Sequence, residues 1–261
     1  MKKFFVLTIL SSLLLLLGGC SVIKGIKDIA SGNDMISLPI SQTEGERNLR
    51  KLGDNQGYEI IFNYKTYTES FETNDNGEVT STEPTISKEE GQITVGRKDN
   101  VYWMTNNEGE GFAILIGEDY VNYYTYEDGA FVYVSTEDTE DAAEYNEHDI
   151  INDATDYLFY GNALDGMLKA DGKTTILGRE CDTYTIASMI NVVGKFASDL
   201  DDVSYELSLA VDHEIGLTMK LVFKIKSPGE KNEVEFEVTK FEIGDTVTTP
   251  TLPEPTVVEP E

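Results

Sequence analysis

Between residues 58 and 243 apolar residues recur mostly at every second position, in short runs broken by Asn, Asp and Gly. That period limits the fold, because extended strands alternate their side chains between two faces whereas helices repeat every 3.6 residues. Tyr58-Glu-Ile-Ile-Phe-Asn-Tyr-Lys-Thr-Tyr reads as a long strand, followed by Asn76-Gly77 as a turn signal. Residues 92–95, 101–104 and 112–116 read as short strands between Asp-Asn and Glu-Gly clusters. Residues 120–126 and 131–134 flank Asp128-Gly129, a pair suited to a tight hairpin whose central residues both need positive φ. Strands return at 205–211, 217–225 and 234–243, with turns at 212–216 and 227–232.

Two segments break this rhythm. In 149–168, Ile150, Ala154, Tyr157, Leu158, Gly161, Leu164 and Leu168 fall at helical spacing. In 187–200, Met189, Ile190, Val193, Phe196, Ala197 and Leu200 do the same. Each helix must lay its apolar stripe on something, and a sheet is the only large partner available. A flat sheet of so many strands would expose its second face, so curling around the helices is the economical arrangement. The expected fold is therefore mainly β: one strongly curved antiparallel sheet, an open and unclosed barrel, covered by about two helices. It forms a single domain over 49–245, about 200 residues and enough for a real core. Residues 20–48 read as a tether with a short helix at 22–30. Residues 246–261 carry Pro250, Pro253, Pro255 and Pro260 among Thr and Glu, and read as a disordered tail.

The N-terminus has three parts in a fixed order: Lys2 and Lys3, an apolar run from Phe4 to Leu17, and small residues before Cys20. Such an order makes residues 1–19 a secretory signal peptide, since the run falls short of the roughly 20 apolar residues of a membrane span. Leu17-Gly18-Gly19-Cys20 resembles the lipobox of bacterial lipoproteins. The resemblance implies a Cys20 diacylated on sulfur, freed of residues 1–19 and acylated again on its new N-terminus. Two or more acyl chains hold a protein stably, at about 0.8 kcal/mol per buried methylene. The expected location is the bacterial cell envelope, on the extracytoplasmic side of a membrane.

Loss of residues 1–19 removes Lys2 and Lys3, leaving 18 Lys and Arg against 48 Asp and Glu, a side-chain sum of −30. A surface so acidic repels phosphate polymers, and no Lys/Arg cluster is present to release counterions, so nucleic-acid binding is excluded.

Little in the sequence points to an enzyme. Cys181 is alone beyond the anchor, so no intramolecular disulfide can form, and its strand-like surroundings suit a small buried hydrophobe better than a reactive thiol. His148, in Asn146-Glu-His-Asp149, sits at a helix start, and His213 lies in a turn; catalysis or metal binding needs several such groups to converge. Glu137-Asp-Thr-Glu-Asp lacks the glycine that turns a calcium loop, and Asp199–Asp202 reads as another solvated acidic stretch. No Gly-x-Ser-x-Gly elbow or phosphate loop occurs. We expect no catalytic residue, no metal and no cofactor. The tyrosines from Tyr120 to Tyr133 could stack on a partner, although cross-strand packing is their ordinary role.

Three stretches resemble successive strands of the LolA/LolB-like superfamily of lipoprotein carriers. They are Gly178-Arg-Glu-Cys181-Asp-Thr-Tyr184, Ala210-Val-Asp212-His-Glu-Ile-Gly216-Leu-Thr-Met-Lys220 and Phe236-Glu-Val-Thr-Lys-Phe-Glu-Ile-Gly-Asp245. The likeness covers residues 170–245 in detail and 58–135 by strand rhythm. In that family a proline usually follows the leucine of the Asp-x-Glu-x-Gly-Leu turn, where this chain has Thr218. The resemblance implies an unclosed β-barrel over helices, with a cavity able to hold acyl chains or a similar apolar ligand. Its expected lining is Ile60, Phe62, Leu158, Leu164 and Phe196. The same positions would serve equally well in a dry core. The alternative expectation is an envelope interaction protein without a small ligand, meeting another protein through its acidic face or aromatic hairpin.

Overall fold

The computed structural model describes residues 36–72, 80–138, 156–164, 168–186, 204–227 and 229–255. A helix, α1 (Gln42–Gln56), leads into β1 (Tyr58–Ser70), β2 (Thr85–Lys98), β3 (Val101–Asn106), β4 (Gly111–Ile116), β5 (Tyr120–Glu127) and β6 (Ala130–Asp138). A 3-10 segment, Asp156–Leu164, precedes β7 (Leu168–Ile176), β8 (Arg179–Ile186), β9 (Ser204–Asp212), β10 (Thr218–Ser227) and β11 (Glu230–Ile243). All eleven strands form one antiparallel sheet in the order β6-β5-β4-β3-β2-β1-β11-β10-β9-β8-β7, which is not closed into a barrel. Every neighbour in this order is adjacent in sequence except β1 and β11. The expectation of a mainly β, open antiparallel sheet is met.

The strands run longer than hydrophobic alternation alone suggests. The first half of β2, Thr-Ile-Ser-Lys-Glu-Glu from Thr85, is exposed at nearly every position. A strand half that faces water on both sides carries no apolar period to read. The hairpin at Asp128-Gly129 forms as expected, with φ of 51° and 85°. Asp99-Asn100 (52°, 64°) and Leu177-Gly178 (52°, 79°) use the same left-handed pair between β2 and β3 and between β7 and β8.

The expected helices fare differently. The described part of 149–168 is the 3-10 segment, broken at Phe159 (φ −119°, ψ 26°), and Leu168 already belongs to β7. Spacing of three, as in Leu158, Gly161 and Leu164, also lines one side of a three-residue turn, so an α-helix was not the only solution. The expected helices at 187–200 and 22–30 lie outside the described residues.

Two boundaries move. The stretch read as a tether to residue 48 contains Ile36, which bridges to Leu168, and the start of α1. α1 shows only Leu49 and Leu52 as large apolar residues; its buried stripe is Gly45, Leu49 and Gly53. Two of those three positions are glycines, so a hydrophobic period could not reveal it. The stretch read as a disordered tail begins with buried Val247 and part-buried Leu252 packed on a core cluster.

The chain divides into two compact units, one of residues 1–41, 65–89 and 160–235, the other of 42–64, 90–159 and 236–261. In the first, Leu207, Leu209, Val211, Met219, Leu221 and Phe223 are buried on β9 and β10. In the second, the core draws on β1, β3–β6 and β11, with Phe62 and Phe236 rings 4.7 Å apart.

Candidate functional site

Strand register sorts the second unit's core into two faces. Tyr102 pairs with Ile114, and Ile114 with Tyr123, so these three share a face. The neighbouring residue pairs on the opposite face are Trp103 with Ala113 and Ala113 with Tyr124. Both faces are apolar, and Val101, Tyr102, Trp103 and Met104 are all buried in succession. An antiparallel sheet with one wet face would alternate instead. The Trp103 face is covered by Val247 and Leu252, and the Trp103 ring lies over Gly96, where any Cβ would collide with the indole. On the Tyr102 face, Tyr102, Ile114 and Val121 are buried, while Phe112, Ile116 and Tyr123 are only partly so. Burial falls further toward the edge of the sheet, where Val132, in register with Thr125, is 45% exposed.

A polar cavity of about 750 Å³ opens beside this core, between the end of α1, the β2–β3 turn and the Gly244–Thr246 turn. Buried Arg97 lies at its base, paired with Asp54 and stacked on the Tyr102 ring at 4.1 Å. Lys98 Nζ donates to the Val247 carbonyl at 2.7 Å, tying the β2–β3 turn to the segment that covers Trp103. Burial holds the Tyr58 phenol neutral, well above its ordinary range. Both cations here already have partners, and their work is structural: Arg97 fills the space left by Gly53, and Lys98 fastens the chain's last described segment.

In the first unit the turn after β9 gathers the charged groups. Asp212, 2% exposed, accepts from the Glu214 N–H at 3.0 Å and the Ile215 N–H at 2.8 Å. It also takes two hydrogen bonds from the Arg179 guanidinium, whose Nη2 reaches Glu214 at 3.1 Å as well. The turn closes with the Asp212 N–H on the Leu217 carbonyl (2.8 Å) and Gly216 at φ 85°, against Ile40. His213 is half-exposed, 2.7 Å from Asp182, and that hydrogen bond and the carboxylate charge raise its pKa. Cys181 is buried, and burial raises its thiol pKa, which suits a packed hydrophobe and not a nucleophile. Thr218 now has a reason to stand where the resembling family has proline. It is fully buried and its hydroxyl accepts the Gly161 backbone N–H at 3.0 Å, a bond proline could not make.

Among the described residues no three His, Cys, Asp or Glu converge to hold a metal. No described helix is long and apolar enough to cross a membrane. Of the expected lining residues, Ile60, Phe62 and Leu158 are fully buried in the second unit, and Leu164 is fully buried in the first. Phe196, Cys20 and His148 lie outside the described residues. Sequence reasoning missed the covering role of Val247 and Leu252; an apolar residue at each end of the run from Val247 to Leu252 was the available signal.

No protein-family model matches the sequence, and no curated protein matches it. Among solved structures, the chain is similar to the MucA/MucB complex of Pseudomonas aeruginosa, at 11% identity and a TM-score of 0.26, over 78% of this chain and 57% of that one. The chain spans 58% of the length of MucB in its own crystal structure. It is similar to lipoprotein LppX of Mycobacterium tuberculosis at 12% identity and 0.27, over 79% and 97% of the two chains. LprF of Mycobacterium bovis gives 14% and 0.28, over 83% and 98%. None of these likenesses decides fold or function, and the description of the sheet rests on its own strand order.

Proposed function

We propose that the chain is a non-enzymatic lipoprotein of the bacterial envelope, anchored through Cys20, whose sheet holds an apolar ligand such as an acyl chain. The observation that carries this reading is the excess of apolar surface in the second unit. Strands β3–β5 are greasy on both faces, the Trp103 face has its own cover, and the Tyr102 face leaves Phe112, Ile116 and Tyr123 part-exposed. Apolar surface kept in water costs about 25 cal/mol per Å², so a ligand that covers it gains that amount. Within the second unit Ile60, Phe62 and Leu158 are the proposed deeper walls, and their full burial requires them to part when a ligand enters. The resemblance of residues 170–245 to LolA/LolB-like carriers supports the same reading.

Native mass spectrometry of residues 21–261, followed by organic extraction, tests it. A bound mass released as a lipid is the expected result. A clean apo mass together with indifference to fluorescent fatty acids would leave those residues as a dry core. A second reading, as a protein-docking module, is favoured by the exposed apolar side chains of the β5–β6 hairpin.

A further inference from the structure

β6 ends one side of the sheet order, and among the described residues no strand pairs with its outer edge. Its hairpin with β5 exposes Tyr120 (44%), Val132 (45%) and Val134 (58%). The opposite edge strand is guarded. Along β7, Lys169, Asp171 and Lys173 are exposed, and the register shifts at Gly172, whose φ is 137°. Charges and bulges of this kind keep foreign strands from adding. β6 has one shift, between the partners of Tyr123 and Tyr124, which places Val134 out of register. It has no Lys and no Pro, and keeps regular pairing on either side of Val134.

The hairpin turn also fixes which backbone groups face away from β5. Glu127 and Ala130 close a two-residue turn and exchange hydrogen bonds, so Phe131 and Tyr133 point their N–H and C=O groups outward. Acids stand at both ends of the strand: Glu127 and Asp128 at the turn, and Glu137 and Asp138 at the far end, beside Glu118 and Asp119. No Lys or Arg occurs between Lys98 and Lys169. A second copy of this chain would bring the same acids to the edge and be repelled.

We propose that the outer edge of β6 is a docking site for an extended protein segment that alternates apolar residues with Lys or Arg and adds as a strand. Main-chain hydrogen bonds to Phe131 and Tyr133 supply the pairing, and Val132 and Val134 receive apolar side chains. The acids at the two ends select cations. The proposal stands on the strand edge and does not require an apolar ligand in the core.

The test uses the full lipidated chain in nanodiscs of neutral phosphatidylcholine. The probe is a fluorescein-labelled peptide, Lys-Val-Lys-Val-Thr-Val-Lys, read by anisotropy beside a scrambled peptide of the same composition and a Glu-for-Lys analogue. The alternating peptide is expected to bind, and tenfold or more tightly than either control. Val134→Lys, at an exposed position where folding should be untouched, and Tyr133→Pro, which removes an outward N–H, are each expected to weaken binding at least tenfold. Absence of binding, equal binding of the scrambled peptide, or full binding by a folded Val134→Lys variant would each overturn the proposal. So would concentration-dependent dimerisation of the wild-type chain that Val134→Lys abolishes.

Discussion

Asp212 offers the sharpest test of how the first unit is held together. Its carboxylate is almost wholly out of water and satisfies two backbone N–H groups and two guanidinium donors. Asp212→Ala removes both acceptor oxygens and all four hydrogen bonds at once. The Glu214 and Ile215 N–H groups lose their partner, at roughly 1 kcal/mol or more each when burial blocks water. Arg179, its side chain 18% exposed, keeps its bond to the exposed Glu214 but loses the buried carboxylate. Breaking a buried pair costs about 3–5 kcal/mol when one charge is stranded, and the partial exposure of Arg179 puts the expected loss near 3 kcal/mol. Asp212→Asn separates the two contributions, because its Oδ1 can still accept from the turn while the charge is gone; we expect about half the loss. Equilibrium urea unfolding reads both, and with a slope near 2 kcal/mol per M the alanine variant should unfold about 1.5 M earlier. A loss below 1 kcal/mol for alanine, or asparagine as damaging as alanine, would refute the account of a turn held jointly by charge and backbone acceptance.

Four further outcomes are expected. Asp182 raises the folded-state pKa of His213, so its contribution is fully present below the ordinary histidine pKa and is lost as pH rises through the folded value; His213→Gln should abolish that pH dependence, and an NMR titration showing a lowered pKa would contradict it. Leu177 holds φ 52° while exposed, and Leu177→Asn should add about 0.5–1 kcal/mol, a thermal shift of about 2 °C; no gain would refute strain there. Val247→Asp should uncover the protein's sole tryptophan, Trp103, and move its emission to the red, whereas unchanged emission would show that Val247 does not shield it. Cys20→Ala should release the chain from the membrane fraction, and undiminished retention would sink the lipid anchor.

The strands were legible because their buried faces alternate, and the Asp128-Gly129 turn because its residue types are the ones its φ values demand. The wet half of β2 was not, since alternation vanishes where neither face is buried. α1 hid because Gly45 and Gly53 hold two of its three buried positions, and at Gly53 the Arg97 side chain lies where a Cβ would stand. The start of the tail was misread because proline and threonine dominated it, although Val247 and Leu252 suffice to fasten it. Of the candidate site, the described residues Ile60, Phe62, Leu158 and Leu164 are all buried. Alternation cannot separate a packed wall from a cavity wall, because both need the same side chains. The exposed edge at β6 was invisible for a different reason: strand order is a long-range property, and no local pattern says which strand comes last.

The pairing of β1 with β11 has a consequence for the order in which the protein can assemble. Synthesis delivers the chain N-terminus first, and hairpins from β2 to β6 need only residues already made. β1 lacks its second partner until β11 has followed, after all the other strands. Loop closure over such a separation is slow compared with hairpin formation, so the seam at the middle of the sheet should close last. Until then β1 presents one open edge, with unpaired backbone groups that a foreign strand could meet.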